Sequence, residues 1–183
     1  MIKSLEKFAT KRNIIIGLIF IAFINIIAFP FFPKLMIGRE IPIDGILDLQ
    51  FGFTSNFALN LLDNLKEDGR NAYKLSTTII DIPYALVYGF IYSFILVVLL
   101  KKNNFWNYRI LILVPFGISI FDLMENAGIL TLLSSFPEKM EFVVAFTSFS
   151  NQSKWIFAFV TFLLISSNVV YLVFKKKQKA LFH

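Results

Sequence analysis

The sequence predicts an all-α fold, a polytopic membrane four-helix bundle with an amphipathic helix in its first long connection. Three observations carry this. The 183 residues are 57% hydrophobic and include 23 phenylalanines. The mean hydropathy is +0.70, and the apolar share exceeds the ~45–50% of soluble domains. Apolar residues fall in continuous runs rather than alternating ones, and four of the runs approach the ~20 residues that cross ~30 Å of hydrocarbon. The backbone finds no water inside that layer, so each run must be helical.

The first span is "IIIGLIFIAFINIIAFPFF", 14–32, behind Lys11 and Arg12. The run is longer than a signal-peptide core and no small-x-small site follows it, so it is expected to stay as a span. Ahead of it Ile2, Leu5 and Phe8 recur at helical spacing among lysines, the pattern of an interfacial helix. The connection 33–79 contains "TSNFALNLLDNLKEDG". Thr54 or Ser55 is its N-cap, Phe57, Leu61, Leu62 and Leu65 share one face, and Gly69 is its stop. An amphipathic helix over about 55–68 follows, capping the bundle or lying on the leaflet. Before it, "IPIDGILDLQFG" reads as short, Pro/Gly-punctuated and extended.

The second span covers 80–100 and closes on Lys101 and Lys102; the third covers 109–133; the fourth covers 155–174 and closes on Lys175, Lys176 and Lys177. Pro115 predicts a kink in the third span. "PEKMEFVVAFTSFSNQSK" has helical character running towards the fourth. Trp155 and Tyr84 fit an aromatic belt at the membrane surface. The length suits a single transmembrane domain, 1–183. Lysine and arginine concentrate in the N-terminal segment, in the connection between spans two and three, and in the tail. By the positive-inside rule both termini are cytoplasmic in the cell membrane, and 33–79 lies outside.

The same composition excludes much chemistry. There is no cysteine and the single histidine is His183, so haem, iron–sulfur and His/Cys zinc sites are not expected. The net charge of +6 comes from residues flanking apolar spans, which points to anionic headgroups rather than nucleic acid.

The informative stretch is "FDLMENAGIL", 121–130. Asp122, Glu125 and Asn126 stand at i, i+3 and i+4, on one helical face. At ~1.5 Å per residue from Arg109, Asp122 lies about 20 Å and Glu125 about 24 Å into the bilayer. Asp81 at the outer end of span two, Asn25 in span one, and Asn151 to Lys154 at the mouth of span four reach the same level. Carboxylates there cost ~2.5–3.5 kcal/mol each near mid-bilayer on insertion scales. Cationic partners, a raised pKa or a bound cation offset that cost. Lys154, Arg70 and Lys74 are the candidate cations, and Tyr73 sits beside them in "GRNAYKLSTTIIDIP".

The functional expectation is an outward-facing polar pocket for a lipid-like or other small ligand. Asp122, Glu125 and Asp81 are its candidate catalytic acids, and Arg70, Tyr73, Lys74, Asn126 and Lys154 its ligand-binding groups. The carboxylates also supply the oxygens a divalent cation such as Mg²⁺ takes. Against this stands a buried ion-pair network that only fixes helix packing. Asn25, Ser166, Ser167 and Asn168 suit ordinary interhelical hydrogen bonding.

The combination of "DGRNAYKLSTTIIDIPYALVYG", "FDLMENAGI" and "SFSNQSKW" resembles bacterial integral membrane proteins of four spans, over roughly 44–160. That resemblance carries no named activity. It implies only that Arg70, Tyr73, Asp81, Asp122, Glu125, Asn126 and Lys154 belong together. Two further function classes stay open: a structural or accessory subunit of a membrane complex, and a small ion or proton-coupled transporter.

Overall fold

The computed structural model describes residues 1–32 and 46–181, with side chains described to 178. Residues 33–45 of the first connection, the Lys179 side chain and His183 lie outside that description. Six α-helices make up the described residues. They are α1 (Ile2–Phe8), α2 (Lys11–Phe32), α3 (Ser55–Ser76), α4 (Ile82–Asn103), α5 (Val114–Ser135) and α6 (Glu141–Leu181). Four helical stretches are long and apolar enough to cross a membrane: Lys11–Phe32, Ser55–Asn103, Trp106–Ser135 and Glu141–Gln178. This is the make-up of a multi-pass integral membrane protein.

Local chemistry sets the boundaries. Thr10 and Thr54 cap α2 and α3 by accepting the amides of Asn13 and Phe57 at 3.2 and 3.3 Å, which satisfies N–H groups the helix leaves orphaned. Asn104 ends α4 in the left-handed conformation, φ 65°, which asparagine adopts more readily than most residues.

Three elements differ from the expectation. Gly69 does not stop the amphipathic helix. It is buried inside α3, which runs to Ser76 and continues through a π-helical turn, Thr77–Asp81, into α4. The break falls earlier, at Lys66 (φ 58°). Pro115 does not kink a helix interior either. It lies in the first turn of α5, directly after a 3₁₀ stretch over Trp106–Leu113, where its missing N–H costs nothing. The 46–52 stretch is not wholly extended, because Leu47–Leu49 forms one 3₁₀ turn.

Two cores result. Ala58, Leu61, Leu62 and Leu65 of α3 pack with Leu47 and Tyr73 on Ile129, Leu132, Leu133 and Val144. The amphipathic helix therefore caps the ends of α5 and α6. At the other end Leu5 of α1 packs with Phe94, Leu96, Val97, Leu100 and Ile112, and Glu6 pairs with Lys101. Asn103 ties α4 to α6 there through the carbonyl and side-chain oxygens of Asn168, at 2.9 and 3.0 Å. The Lys175 stretch of α6 shares this end with α1, since Lys175 donates to the carbonyl of Lys102.

Candidate functional site: a carboxylate–lysine cluster at a cavity

The polar face of α5 is buried, with Glu125 and Asn126 both 0% exposed. Close packing of α5 on α6 puts it there. A Cβ at Gly128 would lie 2.9 Å from that of Thr147, and one at Gly117 would overlap the Phe157 ring, so only glycine permits this approach. The packing brings Lys154 of α6 over the acids. Its side chain is 11% exposed, and Nζ lies 2.5 Å from Glu125 Oε2 and 3.4 Å from Asp122 Oδ1. It also donates to the backbone carbonyl of Asp48 at 3.4 Å. Lys154 thus ties both acids to the loop at Asp48.

The remaining carboxylate oxygens are also engaged. Asn151 donates to Glu125 Oε1 at 2.8 Å, and Tyr88 donates its hydroxyl to Asp122 Oδ2 at 2.6 Å. Tyr73 donates to Asp48 and accepts the amide of Leu47 at 3.1 Å. Asn151 also holds the loop in place, accepting the amide of Gly52 at 2.9 Å and donating to the carbonyls of Leu47 and Asp48 at 3.4 and 3.2 Å. Ser148 accepts the amide of Phe53 at 2.8 Å. Gly52 has φ 78°, and a Cβ there would strike the Gln152 side chain, so the loop needs glycine at that point.

The cluster forms one side of a cavity of about 610 Å³. Asn25, Asp48, Tyr73, Ser76, Thr77, Asp81, Asp122 and Lys154 contribute polar groups to its lining. Phe29, Ile118, Trp155, Ala158 and the rings of Tyr84, Tyr88 and Tyr92 contribute the apolar part. Tyr84 stacks edge-on with Phe29 and Tyr88 at centroid distances of 5.7 and 5.0 Å, and its hydroxyl accepts from Asn25 at 2.8 Å. Tyr84 is thus a wall of the cavity rather than a residue of a surface belt. A π-helical turn within α2, Ile24–Ala28, and the one over Thr77–Asp81 both border the same space, through Asn25 and through Thr77 and Asp81. Such turns recur at functional sites because they re-aim side chains out of helical register.

The structure brings together Asp81, Asp122, Glu125, Tyr73 and Lys154 of the expected set, with Asn126 buried beside Asp81. It does not bring in the other two. Arg70 reaches back to the carbonyl of Leu62 at 3.0 Å and lies 4.2 Å over the Phe136 ring. Lys74 is exposed. Sequence reasoning missed Asp48, whose carboxylate lies with those of Asp122 and Glu125 in a group spanning 4.8 Å. It also missed the tyrosine wall, although "YALVYGFIY" places Tyr84, Tyr88 and Tyr92 at i, i+4 and i+8, a readable stripe. Oxygen donors of this kind suit a hard cation, but Lys154 already supplies a positive charge to two of the three acids, so a metal ion must displace it. Compared with protein families, curated proteins and solved structures, the chain matches none.

Proposed function

We propose that this multi-pass membrane protein binds an amphipathic, lipid-like molecule in the cavity, entered from the extracytoplasmic side. One observation carries the reading: a space of about 610 Å³, within the ~300–1,000 Å³ of ligand sites, with aromatic walls and a carboxylate–lysine cluster at one side. A molecule with an apolar tail and a polar head matches both surfaces. Intramembrane ionisable groups facing a cavity are expensive, and a ligand site is the default explanation for them. Towards the termini the interior is filled by Phe94, Leu96, Val97, Leu100 and Ile112, and Ser93 there is bonded to the carbonyl of Ile112 at 2.7 Å. That packing favours binding over conduction through the bundle.

Native mass spectrometry of protein purified in a neutral maltoside detergent tests the reading. The wild-type protein is expected to retain an amphipathic species that Asp122→Asn releases while still inserting and purifying. An Asp122→Asn protein that keeps the same species, or a wild-type protein that carries none, contradicts it.

A further inference from the structure

The leftover hydrogen-bonding capacity of the cavity specifies the head of the ligand, and this inference rests on the binding reading above. Four acids, Asp48, Asp81, Asp122 and Glu125, meet one base, Lys154, among the described residues. Lys154 is committed to the cluster, paired with Glu125 and Asp122 and donating to the Asp48 carbonyl. A phosphate or carboxylate head would therefore meet acids with no free cation to receive it. Acceptors, in contrast, remain. Asp81 lines the cavity and makes no ion pair within 4 Å among the described residues, and Asp48 Oδ1 is buried without a hydrogen bond. Asn126, 0% exposed and not part of the lining, turns its amide to Asp81.

Buried polar groups in folded proteins are nearly always paired, so carboxylate oxygens left without a donor at a cavity mark a place where a partner belongs. That partner must bring N–H donors and positive charge. The neighbouring surface agrees. Asp81, Tyr84 and Tyr88 stand at i, i+3 and i+7, on one helical face, and aromatic rings attract ammonium groups through their negative faces. We propose that the cavity selects amphipathic molecules with an ammonium head, seated between Asp81 and Asp48, with the tail along Phe29, Tyr84, Tyr88 and Trp155. The ammonium can belong to an amine-headed phospholipid of the bilayer or to a free alkylamine.

Three probes of equal chain length, dodecylamine, dodecanol and dodecyl phosphate, separate the possibilities when titrated against the purified protein, with tryptophan fluorescence as the readout. Dodecylamine is expected to bind at least about tenfold more tightly than either other probe, the scale of one charge-assisted contact. Asp81→Asn is expected to erase that preference, bringing dodecylamine affinity down to that of dodecanol. Should the variant not fold, the wild-type ranking decides by itself. Dodecyl phosphate or dodecanol binding as tightly as dodecylamine overturns the ammonium assignment and leaves the binding reading standing; binding by none of the three removes both. Magnesium chloride competing away dodecylamine also overturns the assignment, because the acids then hold a metal ion. Mass spectrometry of protein from nanodiscs of mixed phosphatidylethanolamine and phosphatidylcholine identifies the source. Enrichment of the ethanolamine lipid over the bulk ratio indicates a bilayer lipid, a retained non-lipid amine indicates a free one, and bound amphipaths lacking a primary amine contradict the proposal.

Discussion

Replacing Lys154 by methionine keeps most of the side-chain volume and removes the only ammonium from the cluster. Glu125 is 0% exposed and the Asp122 side chain 5% exposed, so neither recovers its lost partner from bulk water. Removing one member of a buried ion pair costs about 3–5 kcal/mol, because the remaining charge stays desolvated. At ~1.4 kcal/mol per decade, Lys154→Met should lower the folded-to-unfolded ratio by roughly 10²- to 10⁴-fold. Glu125→Gln should cost less, since Asp122 still pairs with Lys154 and the amide oxygen can still accept from Asn151. Combining Lys154→Met with Asp122→Asn and Glu125→Gln removes the ammonium together with both carboxylates it pairs with. That triple variant should regain much of the loss, as neutral replacements of buried ionic groups often do. Unfolding by dodecyl sulfate in mixed maltoside micelles, followed by tryptophan fluorescence, gives the comparison. A Lys154→Met protein as stable as wild type, or a triple variant worse than the single one, refutes the reasoning.

Other consequences are open to equally direct checks. Asn103→Ala removes the tie to Asn168 far from the cavity and should cost about 1–2 kcal/mol in the same assay, with ligand retention unchanged. Tyr73→Phe loses the hydroxyl that joins the Leu47 amide to Asp48; amide exchange over 46–53 should quicken while exchange within α5 does not. Gly128→Val sets a branched side chain against Thr147, and overpacking of ~1–3 kcal/mol should lower stability and ligand retention together. The chain has no cysteine, so single cysteines report sidedness cleanly. An impermeant maleimide should label Lys139→Cys on intact cells and Asn104→Cys only after permeabilisation.

The bundle was legible because hydrocarbon leaves the backbone no choice but to bond to itself. Runs of apolar residues therefore translate directly into helices. The ends were harder. Gly69 reads as a stop, yet in α3 it is buried within the helix, and the backbone break falls at Lys66 instead. The span of α6, Glu141–Leu181, extends well beyond its apolar part, because polar residues such as Asn151 and Lys154 are sheltered by neighbouring helices. For the site, helical spacing and rise were enough to place Asp122, Glu125 and Lys154 at one level. Asp48 was not readable, because its position depends on hydrogen bonds from Asn151 and Tyr73, 103 and 25 residues away in sequence. Arg70 was misleading for the same reason: its sequence neighbours are polar, but its partner is the ring of Phe136.

A high-resolution structure determined in lipid nanodiscs tests the central claim most directly. Elongated density should run along Tyr84, Tyr88 and Trp155 and end in a head within hydrogen-bonding distance of Asp81. A cavity closed by repacked side chains, with ordered lipid confined to the outside of the bundle, would leave the acids and Lys154 as packing alone.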